Sequence, residues 1–287
     1  MYYHMNELYF DKIDTQDKAY WLGFLYADGY HSENWYKIGM ALSVRDVDHI
    51  KLFCDFLKIE KEKIKTKLPF KINIQGRTVH SDGTSSIQIS NKHMSHSLSS
   101  LGLVSKKSLI LKFPTENQVP LYLINHFVRG YFDGDGCLSK TKQNNVTRYG
   151  ITILSSKDFC QSLLEMVNKE LKINMCMWNN KGKIDVVHIS GNRQVKKFTD
   201  WMYKDSIIQL KRKYEIYEEL NDKMKIIDAR LKNKYSSYKN ISFDKYRNKW
   251  ISMVRINKKT KCVGRFNTEL EALNAQKLAY KNYKQVN

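Results

Sequence analysis

Hydrophobic residues run almost unbroken through two short stretches, Trp21-Leu-Gly-Phe-Leu-Tyr-Ala-Asp28-Gly29 and Val128-Arg-Gly-Tyr-Phe-Asp-Gly-Asp135-Gly136, 107 positions apart. Each predicts an apolar helix with two small residues four apart, Gly23 with Ala27 and Gly130 with Gly134. Such pairs let two helix backbones approach closely. Each stretch ends in an aspartate followed by glycine, a residue suited to a left-handed helix stop.

Beyond these stretches the pattern changes period. Tyr36-Lys-Ile-Gly-Met-Ala-Leu-Ser-Val44 is apolar at every second position and predicts a half-buried strand. Arg45 to Ile59 then turns helical, with Ile50, Phe53, Phe56 and Leu57 on one face. The second half echoes this with a strand over Tyr149–Ser155 and a helix over Lys157–Leu171. Later strands, Ser86–Ser90 and Val187–Ser190, are each followed by a helix. The chain therefore reads as an αββαββα unit occurring twice, joined by Lys112–Pro120. Two such halves in one chain behave as a linked C2 dimer, with the pseudo-axis between the two signature helices.

A long amphipathic helix is predicted over Asp205–Leu231, from Leu210, Tyr214, Tyr217, Leu220, Met224, Ile227 and Leu231 at three- and four-residue steps. Tyr238–Ile256 then reads as two strands around a turn at Asp244–Asn248, and Lys261–Phe266 as a third. Thr268 and Glu271 form a capping-box pattern opening a final helix. Phe243, Trp250, Phe266 and Ala275 are the expected core of this small module. The fold class is α+β, divided as repeat 1 over 1–116, repeat 2 over 117–231 and a three-strand-and-helix domain over 235–287.

Charge adds a partner. The 287 residues carry 49 Lys and Arg against 29 Asp and Glu, a net charge of +20, which favours nucleic acid. Residues 231–287 hold 14 of those bases against 3 acids. No apolar run is long enough to span a bilayer and no signal peptide is present, so an intracellular protein with no membrane partner is expected. The five cysteines are scattered, odd in number and form no C-x-x-C, and read as reduced thiols. His93 and His96 lack further ligands nearby and read as helix surface.

The two acids supply the candidate chemistry. An aspartate at a helix C-terminus opposes the dipole, costing about 0.3–1 kcal/mol when exposed. Pairing the helices brings Asp28 and Asp135 together, and two crowded carboxylates call for a cation. Hard oxygen ligands favour Mg²⁺. The pattern points to a metal-dependent phosphodiesterase.

Tyr20-Trp-Leu-Gly-Phe-Leu-Tyr-Ala-Asp28-Gly29 and Phe127-Val-Arg-Gly-Tyr-Phe-Asp-Gly-Asp135-Gly136 resemble the signature of LAGLIDADG homing endonucleases. The resemblance implies a monomer that cuts both strands of a long, mostly non-palindromic duplex DNA target with Mg²⁺, which Mn²⁺ can replace. It implies that Asp28 and Asp135 bind metal, with backbone oxygens of Ala27 and Gly134 completing the set. Bound metal would polarise the scissile phosphate, help generate the attacking water and stabilise the leaving oxygen. A lysine is implied near each scissile phosphate; Lys107 and Lys211 are chosen from the clusters Ser105–Ser108 and Leu210–Lys213. The sheets should contact DNA through alternate strand positions: Lys37, Lys71, Gln75, Arg77, Gln88, Arg148, Thr152, Lys183 and His188.

Ile-Ser-Phe-Asp-Lys, Arg-Asn-Lys-Trp250 and Gly-Arg-Phe-Asn-Thr268 with Glu-Ala-Leu-Asn-Ala275 resemble an Apetala-type (ethylene-response-factor-like) DNA-binding domain. That resemblance implies a sheet in the major groove, with Arg247, Lys249, Arg255, Lys258 and Arg265 as contacts. Trp250 is assigned to the core rather than to DNA.

Some readings stay open. Asp133 has Tyr26 as its counterpart, which favours a supporting role over metal ligation. Asp46 and Asp158, each three residues after a serine, suit either active-site water organisation or helix capping. An intron RNA maturase, or a non-cleaving DNA-binding regulator, would use the same scaffold. The abundance of Lys, Asn and Ile points to an AT-rich genome such as that of a phage or an organelle; the expected location is the cytoplasm of a bacterial or phage-infected cell, or an organelle.

Overall fold

The computed structural model describes residues 5–74, 77–144, 146–180, 182, 184–232, 236, 238–256 and 259–286. The chain divides into two compact units, 1–220 and 221–287. The first begins with α1 (Gln16–Ala27), β1 (Gly29–Ser32), β2 (Lys37–Ser43), α2 (Val47–Leu57), β3 (Lys65–Lys67), β4 (Phe70–Ile74), β5 (Arg77–Ser81), β6 (Thr84–Ser90) and α3 (Lys92–Ser100). It continues with α4 (Ile124–Asp135), β7 (Cys137–Gln143), β8 (Val146–Ser155), α5 (Lys157–Leu171), β9 (Cys176–Asn180), β10 (Ile184–Ser190) and α6 (Asn192–Tyr203). A long helix, α7 (Lys211–Lys232), contains the boundary between the units.

The doubled pattern becomes a doubled architecture. One antiparallel sheet has the order β1-β2-β6-β3 and the other β7-β8-β10-β9. Helix α2 packs on β2 and β6, while α5 and α6 pack on β8 and β10, so each sheet keeps an open face. Among the described residues the halves differ in one strand pair: the hairpin β4–β5 is an insertion into the first repeat and pairs with no other strand.

Helices α1 and α4 form the seam. Nine consecutive residues of α1, Ala19 to Ala27, are buried, as an all-round apolar helix requires. The contact is reciprocal. A Cβ on Gly23 would overlap Phe127 O and lie 2.9 Å from Tyr131 N. A Cβ on Gly130 would overlap Tyr20 O and lie 2.9 Å from Phe24 N. Tyr20 and Phe24 flank Gly23 in sequence as Phe127 and Tyr131 flank Gly130, so the two helices meet about a local pseudo-twofold.

The signature glycines after the acids work differently from expectation. Neither Gly29 nor Gly136 has a positive φ; Gly136 is extended at φ −81 and ψ 156. They are needed for space. A Cβ on Gly29 would fall 2.6 Å from Leu25 O, and one on Gly136 would fall 2.6 Å from Phe132 O. The chain turns from helix to strand too sharply to admit a side chain.

The long helix starts six residues later than its apolar spacing predicts. Residues 204–210 instead run irregularly, with Asp205 at φ 52. Their backbone groups bond to α4: Ile208 O accepts from Arg129 Nε at 2.9 Å, and Leu210 N donates to Asp133 Oδ2 at 2.8 Å. These tertiary bonds replace the helical ones.

The second unit contains β11 (Ile241–Asp244), β12 (Lys249–Ile256), β13 (Lys259–Phe266) and α8 (Glu269–Val286), with the sheet in that order. Its core is Ile241, Ala272 and Leu273, with Trp250 and Phe266 packed against it. Phe243 reaches Trp250 with ring centroids 5.1 Å apart. Ala275 is only half-buried, so Ala272 and Leu273 take the place expected of it. The capping box forms: Glu271 N donates to Thr268 Oγ1 at 3.2 Å, and Thr268 N donates to Glu271 Oε2 at 3.3 Å.

Candidate active site

The C-terminal ends of α1 and α4 deliver Asp28 and Asp135 to one place. Asp28 caps α1, and its carboxyl carbon lies 3.5 Å from where a Cβ on Gly134 would stand. Such a Cβ would also overlap that of Ala27, so the small residues bring the helix ends within reach of each other. Asp28 is half-buried and Asp135 exposed, so the site opens to solvent. A cavity of about 310 Å³ reaches it, lined in part by Tyr26, Ala27, Lys107, Tyr131, Asp135 and Ser155.

Electrostatics at the site are frustrated. Burial pushes the Asp28 carboxyl up to about 6, with repulsion from Asp135 adding to the shift. Lost hydration also raises Asp135, against the pull of Lys107 and Lys213. Burial lowers Lys107, opposed by both acids. It pushes buried Lys213 down to about 8.

The two lysines occupy corresponding positions. Lys107 Nζ donates to Gly29 O, the residue after Asp28. Lys213 Nζ donates to Gly136 O at 2.5 Å, the residue after Asp135, and also to Phe132 O at 2.5 Å and Asp133 O at 2.8 Å. Lys213 thus satisfies the last carbonyls of α4, and Lys107 a strand carbonyl just beyond the end of α1; a cation is favoured at both negative helix ends. Lys213 stands where Lys211 was expected. The Lys211 side chain is 91% exposed and lies 4.0 Å from Glu215, pointing along α7 instead. Lys213 is also 106 positions from Lys107, close to the 107 separating the acids, a signal that favoured it.

The backbone positions expected to join the acids are unequal. Gly134 O already accepts from Lys213 at 3.3 Å. Ala27 lies on the cavity wall. Asp133 points inward instead, fully buried, accepting from Tyr20 Oη at 2.8 Å, Tyr203 Oη at 3.4 Å and Leu210 N. Asp46 takes Arg212 Nε at 3.1 Å and caps no helix with its side chain. Asp158 lies exposed in the first turn of α5, which Ser156 caps, not Ser155. Ser155 instead accepts from Tyr131 Oη at 2.9 Å.

The candidate contact residues fall on the two four-stranded sheets, on the β4–β5 hairpin and in the second unit. Lys37 pairs with Ser90, and Gln88 with Gly39, on the first sheet. Lys71 is exposed on β4, paired with His80; Arg77 belongs to β5. On the second sheet Thr152 pairs with His188, with Oγ1 and Nδ1 3.1 Å apart. Arg148 and His188 help line a cavity of about 570 Å³. Gln75, Lys183 and Lys258 lie outside the described residues. In the second unit Arg247 and Arg255 are exposed, and Lys249 bonds Asn267 Oδ1. Arg247 and Arg265 share Asp244, at 3.2 Å and 3.7 Å.

All five cysteines are free. Among the described residues no group of three or more His, Cys, Asp or Glu could hold a metal, and no helix is long and apolar enough to cross a membrane.

Residues 123–201 match the model of the LAGLIDADG-like domain. The match starts just before α4 and ends within α6, so it includes Asp135 and the whole second sheet. No curated protein matches the chain in sequence. Among solved structures, the homing endonuclease I-WcaI bound to its DNA recognition sequence overlaps at a TM-score of 0.49 and 15% identity, covering 70% of this chain and 86% of that one. The LAGLIDADG homing endonuclease I-GzeII in complex with its DNA target overlaps at 0.47 and 11%, covering 74% and 91%. The meganuclease I-SmaMI bound to uncleavable DNA overlaps at 0.46 and 11%, covering 74% and 90%.

Proposed function

We propose that this protein is a sequence-specific, metal-dependent DNA endonuclease that hydrolyses one phosphodiester in each strand of a duplex. The observation that carries the reading is the reciprocal set at the helix ends: Asp28 with Lys107 on Gly29, and Asp135 with Lys213 on Gly136. One acid and one lysine from each half suit one strand each of a near-twofold substrate.

The donor set fits Mg²⁺. Asp28 and Asp135 offer hard oxygens; burial raises the proton affinity of both, Asp135 also repels Asp28, and a shared cation would relieve that repulsion. Bound Mg²⁺ would supply Lewis acidity toward the scissile phosphate and an acidified water. Lys107 and Lys213 contribute fixed positive charge beside the phosphate as its negative charge builds. Hydrogen bonds to backbone carbonyls preset both ammonium groups, so little reorganisation is needed. The open sheet faces would hold the duplex on either side through Lys37, Gln88, Arg148, Thr152 and His188, with Lys71 and Arg77 added from the β4–β5 hairpin. The 235–287 module, read as an Apetala-type domain, would add contacts through Arg247, Lys249, Arg255 and Arg265, and a monomer would suffice.

Cleavage of a random-sequence duplex library by the purified chain, with and without Mg²⁺ or Mn²⁺, tests this reading. Metal-dependent double-strand cutting of a selected sequence class is the expected result. Tight duplex binding with no cutting in either metal would leave a binding protein instead.

A further inference from the structure

Beside the helix ends, each sheet presents one cross-strand row to its open face, and the two rows are built differently. In the first sheet, Tyr30 on β1, Gly39 on β2 and Gln88 on β6 lie in register. The Tyr30 ring crosses β2 directly above Gly39. A Cβ at position 39 would meet Tyr30 Cε1 at 2.7 Å and Cζ at 3.0 Å. The glycine therefore leaves the gap through which the ring spans from β1 to β6. There the Tyr30 hydroxyl donates to Oε1 of Gln88. Tyr30 remains 40% exposed and Gln88 is exposed, so the pair faces outward two residues from Asp28.

That hydrogen bond changes what Gln88 can say to a base. A free glutamine reads adenine with both ends of its amide, accepting from N6 and donating to N7. With Tyr30 occupying one lone pair of Oε1, the amide keeps both Nε2 donors but only part of its capacity to accept. Guanine presents two acceptors, N7 and O6, on its major-groove edge.

We propose that Tyr30 is a specificity-positioning residue: spanning Gly39 and holding Gln88 by its oxygen, it makes this row prefer guanine over adenine at one base pair close to the cut. The inference rests on the endonuclease reading above. In the second sheet the corresponding row is Cys137, Thr152 and His188, with Thr152 and His188 bonded to each other. It offers a different edge, so the two halves of the target differ at this position.

Selection of bound duplexes from a random library, without added metal, tests the inference independently of cleavage. Three full-length proteins are compared: wild type, Gln88→Ala and Tyr30→Phe. Gln88→Ala should relax one position, and wild type should favour guanine there. Tyr30→Phe keeps the ring and frees Oε1, so that position alone should shift toward adenine, by about tenfold in relative enrichment. Adenine preference in wild type at the Gln88-dependent position, or a Tyr30→Phe profile identical to wild type, overturns the inference and leaves the endonuclease reading standing. A wild-type protein that selects no sequence at all overturns both.

Discussion

Lys107 and Lys213 hold equivalent stations, one on the carbonyl of Gly29 and the other on that of Gly136, each the residue after a signature acid. Lys211 shares the cluster with Lys213 but lies out in solvent. Substituting Lys107 or Lys213 by Ala should therefore lower the cleavage rate by about 100-fold or more, the loss typical of a charge that stabilises a transition state. Lys211→Ala should stay within about twofold, because an isolated surface charge contributes little. Single-turnover cleavage at saturating protein separates these cases from weakened binding.

The carboxylate pair makes a prediction about stability as well as chemistry. Asp28 binds its proton more tightly in the fold than in an unfolded chain, at about 6 against an ordinary 3.8. Its ionised form therefore costs stability, fully above about pH 6 and not at all below about pH 4. Asp28→Asn should abolish metal-dependent cutting, preserve duplex binding, and stabilise the metal-free protein at pH 7.5 by on the order of 1–2 kcal/mol. Urea unfolding with chelator reads the last effect, and added Mg²⁺ should raise the wild-type midpoint but not that of the variant.

The helix seam should be intolerant of a single methyl group. At Gly23 and Gly130 the obstacle is backbone, Phe127 O and Tyr20 O, which no rotamer change can move aside. Gly130→Ala should destabilise the first unit by about 3 kcal/mol or more, and Gly23→Ala similarly. Gly182, where a Cβ meets nothing within 4 Å, gives the contrast: substitution there costs only its strained φ of +76. Denaturant midpoints of the three variants check the ranking.

Two buried imidazoles should weaken the fold in mild acid, opposing the gain that comes from protonating Asp28. Tyr20 gives its one hydroxyl proton to Asp133, so His49 Nε2, 2.8 Å from Tyr20 Oη, carries a proton and donates. Burial, aided by Arg212 and Lys213, pushes the imidazole down to about 3, and burial with Arg129 nearby lowers His126 to about 4. Both lie below the ordinary 6.5, so at these two sites the unfolded chain takes up protons first and their contribution to stability falls as pH drops from about 6.5. His49 alone should remove about 2 kcal/mol by pH 5. His49→Gln should flatten that slope in urea titrations across the range.

Much of this molecule was legible because its periodicities are strong. The apolar signatures, the alternating strand at Lys37–Ser43 and the helix at Lys157–Leu171 follow from local pattern. Local pattern failed where distant backbone groups compete. The apolar spacing of Asp205–Leu210 suited a helix, but Asp133 and Arg129 claim the backbone of this segment. Gly29 and Gly136 carried the right residue for the wrong reason, since spacing reveals a glycine but not whether φ or crowding demands it. The hairpin β4–β5 left no mark on the repeat pattern, because an insertion has no counterpart to match. Choosing among Lys211, Arg212 and Lys213 needed helix phase, which fixes the start of α7 and which side chain turns inward.

The buried bond between Tyr20 and Asp133 has a consequence for how this chain arose and for whether it can be undone. At the places matching Tyr20, Leu22 and Tyr26, the second half carries Phe127, Arg129 and Asp133. Were the second half freed to pair with itself, each Asp133 would confront a phenyl ring carrying no hydroxyl. Two sequestered acids would then stand without that donor. The first half, mated with its twin, would lack the acid its tyrosine serves. What began as a copy has become a lock and its key on one thread, and neither can any longer substitute for the other.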